Sequence, residues 1–303
     1  MSDATSTPPS ADPAADTADR AAPPRVDVLM ITHRRPDYTR LALPRLLEAT
    51  GPHVNVWVWH NGDHAETLEV VQAHRDHPRL ARFHHSRENL GLRAPTNWLW
   101  TESDAPYVSK VDDDCLVDHA FTDPMLAAHV DVPRLGVVGA WRFLDEDYRR
   151  FASRRKMVTL PGEHQLLRNL WVQGSSYVMK REIVERLGPL PEGVTFPQYC
   201  RRAAAAGWLN GWLYPFVREQ HLDDPRFRLS ALRDPEVFAR EAPLSARMEG
   251  VHTVDQWRRE MTISALRVQR APLNPARHDG LPGKVIQARK RVRRLLRRAG
   301  VPL

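Results

Sequence analysis

Lys110-Val111-Asp112-Asp113-Asp114 is the stretch on which the reading of this chain turns. The run Tyr107 to Val111 has the composition of a strand and ends directly on three acids. Two carboxylates in an i, i+2 relation on a turn can share one divalent cation, and that cation can bridge a diphosphate. Alone the triplet is weak. Acids make up 37 of 303 residues, enough for such a run to arise by chance, and Asp145-Glu146-Asp147 is a second one. Position separates them. The first closes a strand, while the second follows Trp141-Arg142-Phe143-Leu144 in an expected loop and reads as solvated surface.

Working outward, Val26 to Ile31 is a short apolar, β-branched run, the signature of a buried strand. Asp37 to Thr50 reads as a helix with Leu41, Leu43, Leu46 and Leu47 on its apolar side, stopped by Gly51-Pro52. Further strands are expected over Val54 to Trp59 and Ala81 to His85, with helices over Ala65 to His74 and Pro95 to Ser103. Downstream, Gly136 to Ala140 reads as a strand and is followed by a loop and the segment Leu170 to Lys180. Helices are expected over Arg181 to Leu187, ended by Gly188-Pro189, and over Tyr199 to Ala206, closed by Gly207. From about Pro225 the spacing is helical and less regular. This alternation predicts an α/β fold with a mainly parallel sheet. Ligands of such sheets bind at the carboxyl ends of the strands, which directs attention to the loops after Ile31, Trp59 and Val111. In the first loop, Thr32 and Arg35 offer a hydroxyl and a guanidinium to a nucleotide and its phosphates, although Pro36 and Asp37 also simply open a helix.

Apolar residues at 42% and charged residues at 27% suit a globular α/β domain with appendages. No run of about 18 apolar residues predicts a membrane span. The opening residues lack the basic-then-apolar pattern of a secretory signal, so the expected compartment is cytoplasmic. Cys115 and Cys200 form no disulfide framework and no zinc spacing, and read as buried thiols. Residues 1–25, rich in Ala, Pro, Asp, Ser and Thr, are expected to be disordered. The net charge of +7 is concentrated between Lys284 and Arg298, where eight Lys/Arg occur without an acid. A basic charge confined to a tail argues against nucleic acid as a partner. Val285, Ala288, Val292, Leu295, Leu296 and Ala299 recur at three- and four-residue steps there, which predicts a basic amphipathic helix. Two roles lead, packing on the main domain or peripheral attachment to an anionic membrane surface, which suits a lipid-linked acceptor; nucleic acid is a third, disfavoured because the tail holds no stacking aromatic.

Several motifs together resemble family 2 glycosyltransferases. Val26–Tyr38 is similar to the family's opening, which often reads strand–Thr–Tyr–Asn–Arg–Pro. His60-Asn61-Gly62-Asp63 resembles its Asp–Asn–Gly–Ser turn. Asn89-Leu90-Gly91-Leu92-Arg93 followed by Asn97 resembles its Asn–x–Gly loop beside the nucleotide. Lys110 to Asp114 is similar to its strand and D-x-D metal motif. Trp171 to Leu190 resembles its acceptor-side Gly-rich strand and helix. The motifs stand in the family's order over roughly residues 26–225. The resemblance implies a GT-A fold over 26–230, with a helical extension over 231–303. It also implies inverting sugar transfer from a nucleotide-diphosphate donor to an acceptor hydroxyl, with Mn²⁺ or Mg²⁺ as cofactor.

Carried onto this sequence, the resemblance places the nucleotide beside Thr32, Arg35, His60, Asn61, Asn89, Arg93, Asp112 and Asp113. It places the metal on Asp112 and Asp114, with His221 as the late histidine many such enzymes add. The acceptor side takes Gly174 and Ser175, and Trp208 and Trp212 are candidates for stacking on a sugar. Two departures matter. His60 stands where the family usually has an Asp that recognises uracil, so no uracil preference carries over. Thr195-Phe196-Pro197-Gln198 stands where the family often has an acidic base, and it contains no acid. Glu219, Asp223 and Asp224 are then the candidate bases. Two alternatives stay open on the sequence: a nucleotidyltransferase, although the Gly-rich phosphate loop and Lys expected of one are missing from Thr32–Asp37, and a non-catalytic nucleotide-sugar-binding protein.

Overall fold

The computed structural model describes residues 22–279 together with Val285, Ala288 and Val292. The expected disordered stretch 1–25 lies outside them save for residues 22–25, and so does nearly all of the expected helix Lys284–Arg298. The first part of the chain alternates strand and helix: β1 (Val26–Thr32), α1 (Pro36–Ala49), β2 (Val54–Asn61), α2 (Ala65–Gln72), β3 (Leu80–Ser86), α3 (Arg93–Glu102) and β4 (Tyr107–Asp112). The second part is less regular: β5 (Cys115–Val117), α4 (Thr122–Asp131), β6 (Leu135–Gly139), α5 (Arg150–Ser153), β7 (Met157–Thr159), β8 (Gln165–Asn169), β9 (Ser176–Lys180), α6 (Glu182–Leu187), α7 (Phe196–Ala205), β10 (Leu209–Tyr214) and β11 (Glu219–His221). Four helices close the described chain: α8 (Pro235–Glu241), α9 (Leu244–Met248), α10 (Val254–Arg270) and α11 (Ala276–Asp279).

Nine strands form one sheet in the order β3-β2-β1-β4-β9-β6-β10-β8-β7, and β11 pairs with β5 in a small antiparallel ribbon. β1 is parallel to both β2 and β4, so their carboxyl ends, Thr32, His60 and Asp112, come level. β9 runs antiparallel between β4 and β6. Alternate residues of β1 enter opposite layers: Val28 and Met30 join one apolar core with Leu43, Leu46 and Leu47 of α1, while Leu29 and Ile31 join the other with Trp57 and Trp100. Both faces are covered by helices, so β1 is buried throughout, and each such side chain contributes about 1.5–3 kcal/mol.

The segment Leu170 to Lys180 becomes a strand only from Ser176. The preceding residues turn toward the carboxyl end of β4, where the Asp112 N–H donates to the Ser175 carbonyl at 2.8 Å. Strands β8 and β10 are absent from the sequence reading. Their short runs, Gln165–Asn169 and Leu209–Tyr214, mix polar, Gly and Trp residues and lack clean alternation. The Thr195–Gln198 stretch, where an acid was missed, has a local role: Thr195 and Gln198 form a reciprocal cap on α7.

Helices α8 to α10 enclose a third, small core containing Leu232, Phe238, Trp257 and Met261. Thr253 and Gln256 cap α10 in the same reciprocal way. Ala265 and Val268 then carry α10 into the core of the main sheet. Its Trp257 Nε1 donates to the Asp223 carbonyl at 2.7 Å, tying the extension to the loop after β11.

Candidate active site

The loop after β1 makes an unusual turn. Arg34 takes a left-handed conformation (φ 51°), which costs a non-glycine residue energy and marks a turn held by its surroundings. The His33 N–H then donates to Asp113 Oδ2 at 3.2 Å. The Arg35 guanidinium reaches Asp114 Oδ2 at 2.9 Å and both oxygens of Asp223. Burial pushes the Asp113 and Asp223 carboxyls above their usual range, and the Asp114 charge adds to this while Arg35 opposes it. Burial also works against the Arg35 charge, but Asp223, Asp114 and Asp113 outweigh it and raise its pKa.

The β11–β5 ribbon supplies the other wall. Its register sets His221 opposite Cys115 and Glu219 opposite Val117, so His221 and Glu219 share one buried face. His221 Nε2 lies 3.7 Å from Asp114 Oδ1. Donor atoms of Asp114, Cys115 and His221 fall within 4.8 Å of one another. Burial, then Arg142, lowers the His221 pKa to about 3, so the imidazole is neutral and able to offer a lone pair. The Asp223 N–H approaches Nδ1 at 3.3 Å, so ligation through Nε2 requires the opposite tautomer. Burial keeps the Cys115 thiol protonated. The carboxylate–imidazole pair that remains is a donor set able to hold a divalent cation. Asp112 stands outside this group. Its carboxylate takes the ammonium of Lys110, two residues earlier on the same face of β4.

The three candidate bases are in different states. Asp224 binds Arg226 through both oxygens, and Arg226 also grips Asp147, so Asp224 belongs to a structural ion-pair network facing α10. Asp223 is committed to Arg35. Glu219 accepts from Ser175 Oγ at 2.5 Å through Oε1, while its Oε2 lies near Ser176 without a hydrogen bond of ordinary geometry. Burial, opposed by Arg142, raises the Glu219 pKa to about 7.

Arg142, unremarked in the sequence reading, links these groups to a cavity. It follows β6 closely, and its charge acts on Asp112, Glu219 and His221. It makes no hydrogen bond or ion pair among the described residues. With Trp171, Gln173, Trp257, Glu260 and Arg267 it lines a cavity of about 380 Å³ between the sheet domain and α10. The Gln173 Oε1 is buried without a hydrogen-bond partner among the described residues. The available signal for Arg142 was a cation just past a strand's carboxyl end; Glu260 and Arg267 carried none, because their place depends on how α10 docks.

Other expected site residues support rather than face this centre. Thr32 and His60, both fully buried, bond to each other at 2.9 Å, and burial with neighbouring His85, His33 and His64 lowers His60 to about 4. Asn61 is a clamp: its Oδ1 accepts from Trp59 Nε1 and the Leu90 N–H, and its Nδ2 donates to the Gly91 carbonyl. That fixes the loop on which exposed Asn89 and Arg93 stand, with Asn89 Nδ2 3.3 Å from His33 Nε2. Gly174 packs beneath Phe196, and Ser175 beside Glu219. The stacking roles expected of the tryptophans are corrected. Trp208 precedes β10, at the opposite end of the parallel strands from Asp112, and packs on Gly136 and Ile183. Trp212 is 1% exposed, wedged against Trp141 and Trp171 in the core.

The sequence profile of the family described as glycosyl transferase family 2 matches residues 27–188, just over half of the chain. The chain belongs to glycosyl transferase family 2, and it is a glycosyltransferase. Among solved structures, the mannosyltransferase PcManGT from Pyrobaculum calidifontis, in complex with GDP-Man and Mn²⁺, is 19% identical, with a TM-score of 0.53 over 94% of this chain and 86% of that one. S. aureus TarS 1–349 is 14% identical, with a TM-score of 0.53 over 91% of this chain and 90% of that one. The same TarS fragment in complex with UDP-GlcNAc gives 12% identity and a TM-score of 0.53. These likenesses establish the GT-A fold. No curated protein matches the sequence. Among the described residues no helix is long and apolar enough to cross a membrane.

Proposed function

We propose that the protein moves a sugar from a nucleotide-diphosphate donor to an acceptor hydroxyl, with inversion and with a divalent cation required. The grouping of Asp114 with His221, and the action of Arg142 on both Glu219 and His221 while it lines the cavity under α10, carry this reading. The donor lies over the carboxyl ends of β1, β2 and β4, its nucleotide against the Asn89–Arg93 loop and Asp113. Mn²⁺ or Mg²⁺ held by Asp114 and His221 would supply charge neutralisation for the departing diphosphate. Arg35, already among the carboxylates, and Arg142, without a partner among the described residues, add donors for phosphate oxygens.

The acceptor occupies the cavity lined by Trp171, Gln173 and Trp257. Glu219 Oε2 takes the proton of the attacking hydroxyl; a carboxyl held near 7 is suited to accept a proton at neutral pH. Attack on the face opposite the diphosphate gives inversion. Asp223 and Asp224, expected as alternative bases, act instead in holding Arg35 and the α10 junction. The test is to mix the protein with a panel of sugar nucleotides and Mn²⁺ and follow nucleotide release, for wild type and for Asp114→Ala. Release by wild type alone supports the reading. No release from any donor, with folding intact, returns the site to a non-catalytic binding role.

A further inference from the structure

Away from this centre, the segment Arg149 to Arg155 has a surface composition that neither folding nor sugar transfer explains. Phe151, on α5, is 76% exposed, the most exposed large apolar side chain among the described residues. Arg149, Arg150, Arg154 and Arg155 around it are all exposed. None of their guanidinium groups makes an ion pair or hydrogen bond among the described residues. The nearby acids are engaged elsewhere, Asp145 with Arg218 and Asp147 with Arg226, leaving Glu146 exposed. The Arg154 guanidinium lies over the Phe151 ring at 4.3 Å, which aligns an aromatic and a cation on one surface.

This segment is held, not loose. The Arg149 N–H donates to Gln269 Oε1 at 2.6 Å, and Lys156 Nζ donates to the Val268 carbonyl at 2.8 Å, fixing α5 on the last turn of α10. Exposed Arg270 adds a fifth cation at that junction. Tyr148, just before the segment, packs on Tyr214, a residue 42% exposed. The chain then continues from α10 and α11 into residues 280–303, which carry eight Lys/Arg and no acid. A fixed array of unpaired arginines around a solvent-facing phenylalanine, with a tyrosine at its margin, has the chemistry of an interfacial membrane contact: guanidinium groups for lipid phosphates, and apolar rings for the headgroup–acyl boundary.

We infer that the face formed by Arg149, Arg150, Phe151, Arg154, Arg155 and Arg270 docks the enzyme on an anionic phospholipid bilayer. The same α10 helix walls the cavity proposed for the acceptor, and the link between docking and that cavity rests on that reading.

The test is co-sedimentation of the full-length protein with phosphatidylcholine vesicles and with vesicles that also contain phosphatidylglycerol. Wild type partitions onto the anionic vesicles and is released by salt. Each arginine contributes about fivefold to the partition coefficient, so R149Q/R150Q/R154Q/R155Q lowers it by roughly 600-fold. Phe151→Ala also weakens binding, and R186Q/R202Q, which removes two exposed charges elsewhere, does not. The R149Q/R150Q/R154Q/R155Q protein keeps its thermal shift with nucleotide diphosphate and Mn²⁺, which shows that the fold and donor site are intact. The inference is overturned if wild type ignores anionic vesicles, or if deletion of residues 280–303 abolishes binding while the four-arginine variant binds as wild type does. It is equally overturned if soluble polyphosphate binds the segment and Phe151→Ala has no effect on vesicles, for the partner is then a dissolved polyanion.

Discussion

At the carboxyl ends of β1, β2 and β4 the site is made of residues that follow strands directly, whereas its opposite wall is assembled from Arg142, Gln173, Glu219, His221 and α10, drawn from distant stretches. The first wall depends on the regular βαβ pattern, which fixes where each loop emerges. The second depends on β9 running antiparallel between β4 and β6, on the short β11–β5 ribbon, and on the docking of α10 through Trp257 and Arg226. The difference teaches that the wall proposed for the donor is local in sequence, and the wall proposed for the acceptor is tertiary. Changes on the two sides should therefore differ in which kinetic constant they move.

The largest effect is expected where the walls meet. Asp114→Ala should lower turnover by on the order of 10³ and remove the Mn²⁺-dependent thermal shift with nucleotide diphosphate. If Asp112→Ala removes that shift and Asp114→Ala leaves it, the metal belongs to the first wall alone. Glu219→Gln should lower kcat by about 10²-fold or more with little change in donor KM, and wild-type kcat should rise with pH as Glu219 loses its proton near 7. Stability moves the other way. The folded pKa of Glu219 lies above the unfolded one, so its stabilising contribution is full below about 4.5 and is lost as pH rises through 7. At pH 8, Glu219→Gln should therefore melt later than wild type, by on the order of 3 kcal/mol. A variant that is both inactive and less stable would make Glu219 a structural residue.

Legibility in the sequence follows the same division. β1 to β4 and their helices were readable because β-branched runs alternate with amphipathic ones, and Asp112–Asp114 because it closes a strand. Thr32, His60 and Asn61 were correctly placed at strand ends, but whether a residue there faces ligand or its neighbours depends on side-chain pairing that spacing does not encode. The Thr32–His60 bond is an example. Trp208 and Trp212 were misread because Trp suits a sugar platform and a core equally, and only the direction of β10 sends Trp208 to the far end of the sheet. Arg142 offers the signal of a cation just past a strand's carboxyl end, but its action on Glu219 and His221 depends on where β11 lies.

Smaller effects sharpen the contrast further. Arg142→Ala should raise the KM values of donor and acceptor together, by about 10- to 100-fold, since it removes a charged donor shared by both walls. Ser264→Trp, which fills the cavity under α10, should raise acceptor KM by about tenfold and leave donor hydrolysis unchanged. Trp208→Phe should alter acceptor KM less than about twofold and cost about 1 kcal/mol of stability, measured by urea unfolding.

The most direct measurement is the thermal shift of the full-length protein with UDP, GDP, dTDP, CDP and ADP, each with and without Mn²⁺, repeated for His221→Ala. The predicted result is a metal-dependent rise for one diphosphate that disappears in the variant, joining a residue of the second wall to the carboxylate of the first. A rise that is the same without metal, or that survives His221→Ala undiminished, would contradict a cation held between Asp114 and His221.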